Sequence, residues 1–178
     1  VLSTIGNTTS GIKLSWGKVS GANSYYVYRK TADTKWAKIK TITSGSTVSY
    51  TDTTVKAGVN YIYTVRAHNK NVTSSYDAVG KNYTFIPTPT LRLVESTENS
   101  ASIKWNKIDT AKKYYVYRKT DTTNWAKIKT IGSNSLVEYQ DKDLLSGTNY
   151  YYTVRAYNKP FISSYKSEGL LVTTVPDK

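Results

Sequence analysis

The sequence predicts an all-β chain made of two tandem β-sandwiches of about seven strands each, and three observations predict it. First, the chain is written twice. Trp16, the run Tyr25-Tyr26-Val27-Tyr28-Arg29-Lys30-Thr31 and the run Trp36-Ala37-Lys38-Ile39-Lys40-Thr41-Ile42 return 89 positions later as Trp105, Tyr114 to Thr120 and Trp125 to Ile131. The offset still holds at Gly58/Gly147, Tyr61/Tyr150, Thr64 to Ala67/Thr153 to Ala156 and Ser74-Ser75-Tyr76/Ser163-Ser164-Tyr165. Ungapped pairing of 11–89 with 100–178 gives 39 identities in 79 positions, too many for two unrelated sequences converging on one fold. A period this long is a whole domain rather than a solenoid turn. Second, the apolar runs are short, alternate with period 2 and are rich in Tyr, Val, Thr and Ile, with Gly, Ser, Asn or Asp clusters between them. Third, no stretch shows helical periodicity over four turns or more.

Taken in order, the strand-like runs of the first copy are Leu2 to Ile5, Ile12 to Trp16, Tyr25 to Lys30, Ala37 to Thr41, Val48 to Tyr50, Tyr61 to Asn69 and Asn82 to Ile86. Ile12-Lys13-Leu14-Ser15-Trp16 alternates strictly, so Ile12, Leu14 and Trp16 share one face. The same period places Tyr61, Tyr63, Val65 and Ala67 together, and a face that apolar must be the core. Trp16 and Trp105 are therefore expected to be buried at equivalent positions. The expected domains are residues 1–87 and 88–178. Between them Pro87-Thr88-Pro89 places two prolines in three residues, which fixes φ, removes backbone donors and favours a short, stiff, extended spacer that holds the domains end to end.

Trp16 on the second strand, Tyr25-x-Val27 on the third and Gly58-x-x-Tyr61-x-Tyr63-x-Val65-x-Ala67 on the sixth resemble the fibronectin type III pattern, an immunoglobulin-like sandwich. The resemblance spans nearly all of both copies. It implies that Tyr61 and Tyr150 hydrogen-bond upstream backbone as corner tyrosines and that Gly58 and Gly147 supply a positive φ ahead of the sixth strand. The sub-variant, with Tyr-Val-Tyr-Arg, Trp-x-Lys-Ile, Tyr-x-Asp and Tyr-Thr-Val-Arg-Ala, is similar to modules strung along cell-surface and secreted proteins of Gram-positive gut bacteria. An extracellular location follows as an implication of that resemblance. The chain opens on Val1 and stops at Pro176-Asp177-Lys178, in register with Pro87-Thr88-Pro89, so it is expected to be a segment of a longer protein whose other domains are its partners.

Composition limits the chemistry. Cysteine is absent, which removes disulfides, thiolate nucleophiles and thiolate metal sites. The single histidine, His68, is matched by Tyr157, and no Ser/His/Asp spacing or repeated carboxylate pair is present, so no enzyme is expected. No cofactor is expected either. Asp52 and Asp141 repeat, but the first copy lacks the two or three acidic side chains of a calcium loop, and a turn-forming role is expected of them. No apolar run approaches the roughly 18 residues of a membrane span. The net charge of +13 is shared between the copies, with 11 Lys and Arg against 3 Asp over 1–89 and 14 against 9 acidic residues over 90–178. Such a charge favours polyanions, whereas edge-strand lysines that block sheet-to-sheet pairing are its plainer explanation.

The candidate ligand face is the outer side of the sheet formed by the third, fourth and sixth strands. Alternation points Tyr26, Tyr28, Trp36, Lys38, Lys40, Thr64, Arg66 and His68 outward, and in the second copy Tyr115, Tyr117, Trp125, Lys127, Lys129, Thr153, Arg155 and Tyr157. The residues singled out are Tyr28, Trp36, Lys38 and Arg66, with Tyr117, Trp125, Lys127 and Arg155. Aromatic rings between cations can stack on sugars and neutralise anionic groups. They can equally form a cation–π ladder that stiffens the sheet and binds nothing. Two functions follow: a non-catalytic structural spacer or adhesion segment of an extracellular bacterial protein, which is the expected one, or an accessory module of a carbohydrate-active enzyme that binds cell-wall or host polysaccharide or another polyanion. Nucleic acid ranks below both, since charge alone supports it.

Overall fold

The computed structural model describes residues 2–177, and its contacts divide into two compact units between Phe85 and Ile86. The first domain carries β1 (Leu2–Asn7), β2 (Ile12–Trp16), β3 (Ser24–Lys30), β4 (Ala37–Ile42), β5 (Ser49–Asp52), β6 (Asn60–Asn69), β7 (Val72–Thr73) and β8 (Lys81–Thr84). The second repeats them as β9 (Leu91–Ser96), β10 (Ala101–Trp105), β11 (Lys113–Thr120), β12 (Ala126–Ile131), β13 (Glu138–Asp141), β14 (Asn149–Asn158), β15 (Phe161–Ile162) and β16 (Leu170–Thr173). In each domain one sheet has three strands, ordered β1-β2-β5 and β9-β10-β13. The other runs β4-β3-β6 with β7 and β8 on the far flank of β6, and β12-β11-β14 with β15 and β16 likewise. All pairings within these sheets are antiparallel. Each domain is thus an all-β, immunoglobulin-like sandwich of the fibronectin type III kind.

Alternation builds the core as the sequence predicts. Ile12, Leu14 and Trp16 of β2, Tyr25 and Val27 of β3 and Tyr61, Tyr63 and Val65 of β6 form one buried cluster. Trp16 meets Tyr25 edge-on at 5.4 Å, and Trp105 meets Tyr114 at the same distance. Buried tyrosines need partners for their hydroxyls. Tyr25 accepts the Val19 N–H at 2.9 Å, and Tyr114 accepts that of Ile108 at 2.9 Å. The corner tyrosines do the same, Tyr61 accepting the Lys56 N–H and Tyr150 the Leu145 N–H, both at 3.0 Å. Gly58 and Gly147 adopt φ of +77° and +56° ahead of those strands.

One element departs from expectation. The seventh strand, read as the run from Asn82 to Ile86, is present as β8, and an additional two-residue strand, β7, pairs with β6 ahead of it, with residues 74–80 outside the sheet between the two. Ser74 ends β7. Its N–H donates to the Ala67 carbonyl at 2.9 Å while its Oγ accepts the Ala67 N–H at 3.1 Å, so a side chain takes the place of the next backbone acceptor. Ser163 makes the same pair with Ala156 at 2.8 and 2.9 Å. The chain returns through Gly80 and Gly169, both at φ +72°. Period-2 reading misses β7, because two residues ended by a side chain that substitutes for backbone are too short to show alternation. The edge strands β4 and β12 carry exposed Lys38, Lys40, Lys127 and Lys129, the placement that discourages edge-to-edge pairing.

Candidate functional site

Two constellations repeat in both domains, one buried and one on the outer face. The buried one centres on a carboxylate. Asp52, fully buried at the end of β5, pairs with Arg29 at 2.7 Å and accepts the Tyr63 hydroxyl at 2.9 Å. Its other oxygen accepts the Thr54 N–H at 3.0 Å and the Thr54 hydroxyl at 2.7 Å. The backbone bond two residues on is the turn role expected of this Asp. The ion pair and the tyrosine are additional, and they make the residue an inter-sheet tie. Asp141 pairs with Arg118 at 2.8 Å and accepts the Tyr152 hydroxyl at 2.8 Å. Burial pushes the Asp52 carboxyl up, but the hydrogen bonds from Thr54, Tyr63 and Arg29 outweigh it and hold it below the ordinary carboxylate value. Burial, together with the neighbouring carboxylate, pushes the hydroxyls of Tyr63 and Tyr152 far up, so both stay protonated donors. In each domain the buried carboxylate is thus paired with an arginine of the same domain.

The outer face is assembled by β3, β4, β6 and the excursion 74–80. Tyr28, Trp36 and Arg66, three of the four residues singled out in the first copy, line a cavity of about 150 Å³ together with Tyr76. Tyr117, Trp125 and Arg155 line one of about 120 Å³ with Tyr165 and Thr153. Lys38 and Lys127 stand apart from these cavities, over the rings of Tyr26 at 4.4 Å and Tyr115 at 4.7 Å. His68 stacks on Tyr26 at 4.8 Å, and Tyr157 lies against Tyr115 at 5.3 Å. Thr64 and Thr153 correct the expectation of an open outward residue. Both are buried, at 2% and 4% exposure, although alternation directs them to the outer face. In the second domain the reason is visible, since Thr153 sits among the large side chains that border the cavity.

Within this face cations already lie on rings. Lys30 Nζ is 4.9 Å from the Trp36 ring, Trp36 meets Tyr76 edge-on at 6.1 Å, and the Arg66 guanidinium lies 5.4 Å from Tyr76. In the second domain Lys119 is 5.4 Å from Trp125, Trp125 is 6.3 Å from Tyr165, and Arg155 is 5.4 Å from Tyr165. The Nε–H of Arg66 donates to the Ser74 carbonyl at 2.6 Å and that of Arg155 to Ser163 at 2.9 Å, which anchors each arginine to the excursion. Neither arginine forms an ion pair among the described residues. Tyr76, Tyr165, Lys30 and Lys119 were absent from the sequence-level face. The signal for the tyrosines is the Ser-Ser-Tyr and Gly80/Gly169 repeat, whose meaning depends on the excursion between β7 and β8.

The glycine belongs to the same unit. A Cβ at Gly80 would fall 2.9 Å from Trp36 Cη2 and 2.7 Å from the Tyr63 carbonyl oxygen, and at Gly169 it would fall 2.7 Å from Trp125 Cη2. The close approach and the positive φ both demand glycine. Gly80→Ala and Gly169→Ala should each lower the stability of their own domain by about 1–3 kcal/mol, read from denaturant titration of the intact chain. A loss below about 0.5 kcal/mol would mean that the indole is not held against this turn.

No family model matches the chain. It is 30% identical over 190 aligned positions to exoglucanase B of Cellulomonas fimi, an alignment covering 94% of this chain and 16% of that protein. It is 34% identical over 84 positions to a poly(3-hydroxybutyrate) depolymerase of Ralstonia pickettii, covering 47% of this chain and 16% of that one. In each case the alignment spans about a sixth of the length of the curated relative. Among solved structures, a two-domain fibronectin type III segment of chicken tenascin matches with a TM-score of 0.48 at 17% identity, covering 98% of this chain and 97% of that one. The FN1–FN3 domains of chicken CNTN1 match with a TM-score of 0.45 at 17% identity, covering 98% and 64%.

Proposed function

We propose that the chain is a non-catalytic spacer or adhesion segment of an extracellular, multimodular bacterial protein, cell-surface attached or secreted, whose other domains it presents. The observation carrying this reading is the occupied outer face: in both domains a cation from the same sheet lies on the tryptophan and on the neighbouring tyrosine, Trp36 and Tyr76 in the first and Trp125 and Tyr165 in the second, in matching geometry. A ring that already holds a cation is less available to a sugar or base, and the contact stabilises the sheet by roughly 0.5–2 kcal/mol. Similarity to a short portion of two long bacterial enzymes fits an accessory segment that accompanies catalytic domains. On an array of neutral and anionic glycans at low salt, the chain should show no saturable binding that Trp36→Ala with Trp125→Ala removes. Saturable binding lost in that double variant would overturn the spacer reading.

A second reading is favoured by a specific feature. Among the described residues Arg66 and Arg155 have no carboxylate partner, and they border small aromatic cavities, an arrangement suited to an anionic sugar; one relative is named as an exoglucanase. On this reading the chain is a polysaccharide- or polyanion-binding accessory module, and binding would weaken steeply with salt.

A further inference from the structure

The edge strands of the two domains are guarded differently, and the contrast falls on β1 and its counterpart β9. Each carries one residue more than the strand it pairs with, and such a bulge leaves the extra residue without a ladder partner. In β1 that residue is Ser3, and two polar bonds hold it. Its hydroxyl donates to the Ser15 carbonyl at 2.9 Å, and its carbonyl accepts from Lys81 Nζ at 2.8 Å. An ammonium group lying over an edge discourages a further strand from pairing there. In β9 the slip has moved, with Leu93 opposite Ile103 and Glu95 opposite Ser102, so the extra residue is Val94. No hydroxyl is present to tie it down, and Leu170 stands at the position of Lys81, so the ammonium group is gone as well.

The consequence is a strand exposed on both sides. Arg92, Leu93, Val94 and Glu95 are all exposed, Leu93 at 41% and Val94 at 54%, where the alternation of a packed strand would bury every second side chain. Neither Arg92 nor Glu95 forms an ion pair among the described residues. The order basic, apolar, apolar, acidic is complementary to its own reverse. A two-fold axis between Leu93 and Val94 therefore sets Arg92 opposite Glu95 of a second copy, and Glu95 opposite Arg92 of that copy, with the two apolar pairs between them. On the edge strand β12 the same operation, centred on Ile128, sets Lys127 against Lys129 and repels. We propose that β9 is a self-association edge at which a second copy of this chain docks with its β9 antiparallel to this one. The bulge interrupts a continuous backbone ladder, so Leu93, Val94 and the two Arg92–Glu95 pairs carry the contact, and the interface is small and transient. The edge belongs to the three-stranded sheet, so the proposal stands apart from the role of the aromatic face on the other sheet.

The test is sedimentation equilibrium of the whole chain from about 10 μM to about 1 mM, the range of weak association, in about 0.3 M salt so that the charge of +13 on each copy is screened. Wild type should show a monomer–dimer equilibrium. Leu93→Thr with Val94→Thr removes the apolar contact and should weaken it about tenfold or more. Arg92→Glu sets like charges against each other at both ends and should weaken it about tenfold, and adding Glu95→Arg should return it to within about threefold of wild type. All four side chains are exposed, so these variants should keep the fold, and rescue by the charge exchange is a result that misfolding could not give. A chain that stays monomeric to about 1 mM assigns the strip to some other partner and overturns the proposal. Dimers that withstand the two threonines form elsewhere, and a charge exchange that fails to rescue rejects the antiparallel alignment. Either result also overturns it.

Discussion

Asp52→Ala should unfold the first domain under conditions in which the second remains native, with a loss of about 3 kcal/mol or more. Removing one member of a buried pair leaves the other uncompensated, which costs about 3–5 kcal/mol. Arg29 is 23% exposed and can turn part of its charge to water, so the lower end of that range applies. The variant also orphans the Tyr63 hydroxyl and the Thr54 N–H. Against a domain stability of roughly 0.05–0.15 kcal/mol per residue, this is a large share of the total. Asp141→Ala should cost less, about 2 kcal/mol, because Asp141 and Arg118 are both more exposed, at 7% and 32%. Urea titration followed by two-dimensional NMR separates the domains. The same carboxylate sets an acid limit. Because its folded pKa lies below its ordinary value of 3.8, its contribution is full above that value and drains away as pH falls through the folded pKa. An Asp52→Asn variant should therefore show a shallower loss of first-domain stability between pH 4 and pH 2 than wild type, about those limits being set by the unfolded carboxylate range.

Trp16→Ala and Trp105→Ala should each cost about 3–5 kcal/mol, the range for emptying a large buried aromatic site. Both indoles lie in the core, against Tyr25 and Tyr114, and both indole N–H groups lack a partner among the described residues. Their value is therefore shape and apolar area rather than hydrogen bonding. Trp16→Phe should accordingly recover more than half of the loss, since it keeps a ring in the site and removes an unpaired donor. Equal losses for Phe and Ala, measured in the same titration, would show that the indole nitrogen matters after all.

The core was legible because period 2 and the 89-residue repeat report the same thing twice. Every inward residue named on β2, β3 and β6 from Ile12 to Val65 is buried. The outer face was legible only in part. Alternation states which side of a sheet a residue leaves from, but not what lies over it, so Thr64 and Thr153 read as open when they are covered. Tyr76 and Tyr165 reach the face only because Ser74 and Ser163 end the pairing and Gly80 and Gly169 bring the chain back, a device with no periodic signature. The Arg29–Asp52 tie joins residues 23 apart on different sheets, and such long-range pairing of single charges leaves no local pattern.

The central claim is that the aromatic-basic face is a structural ladder inside each domain. Scanning calorimetry of wild type against the Trp36→Ala, Trp125→Ala double variant tests it most directly. Loss of the cation–π and edge-on aromatic contacts should lower stability by about 2 kcal/mol per domain. At roughly 4–8 °C per kcal/mol for domains of this size, both transitions should fall by about 8 °C or more. Transitions that stay within about 2 °C of wild type would mean that the two tryptophans do not hold the sheet together, and the ladder account would be contradicted.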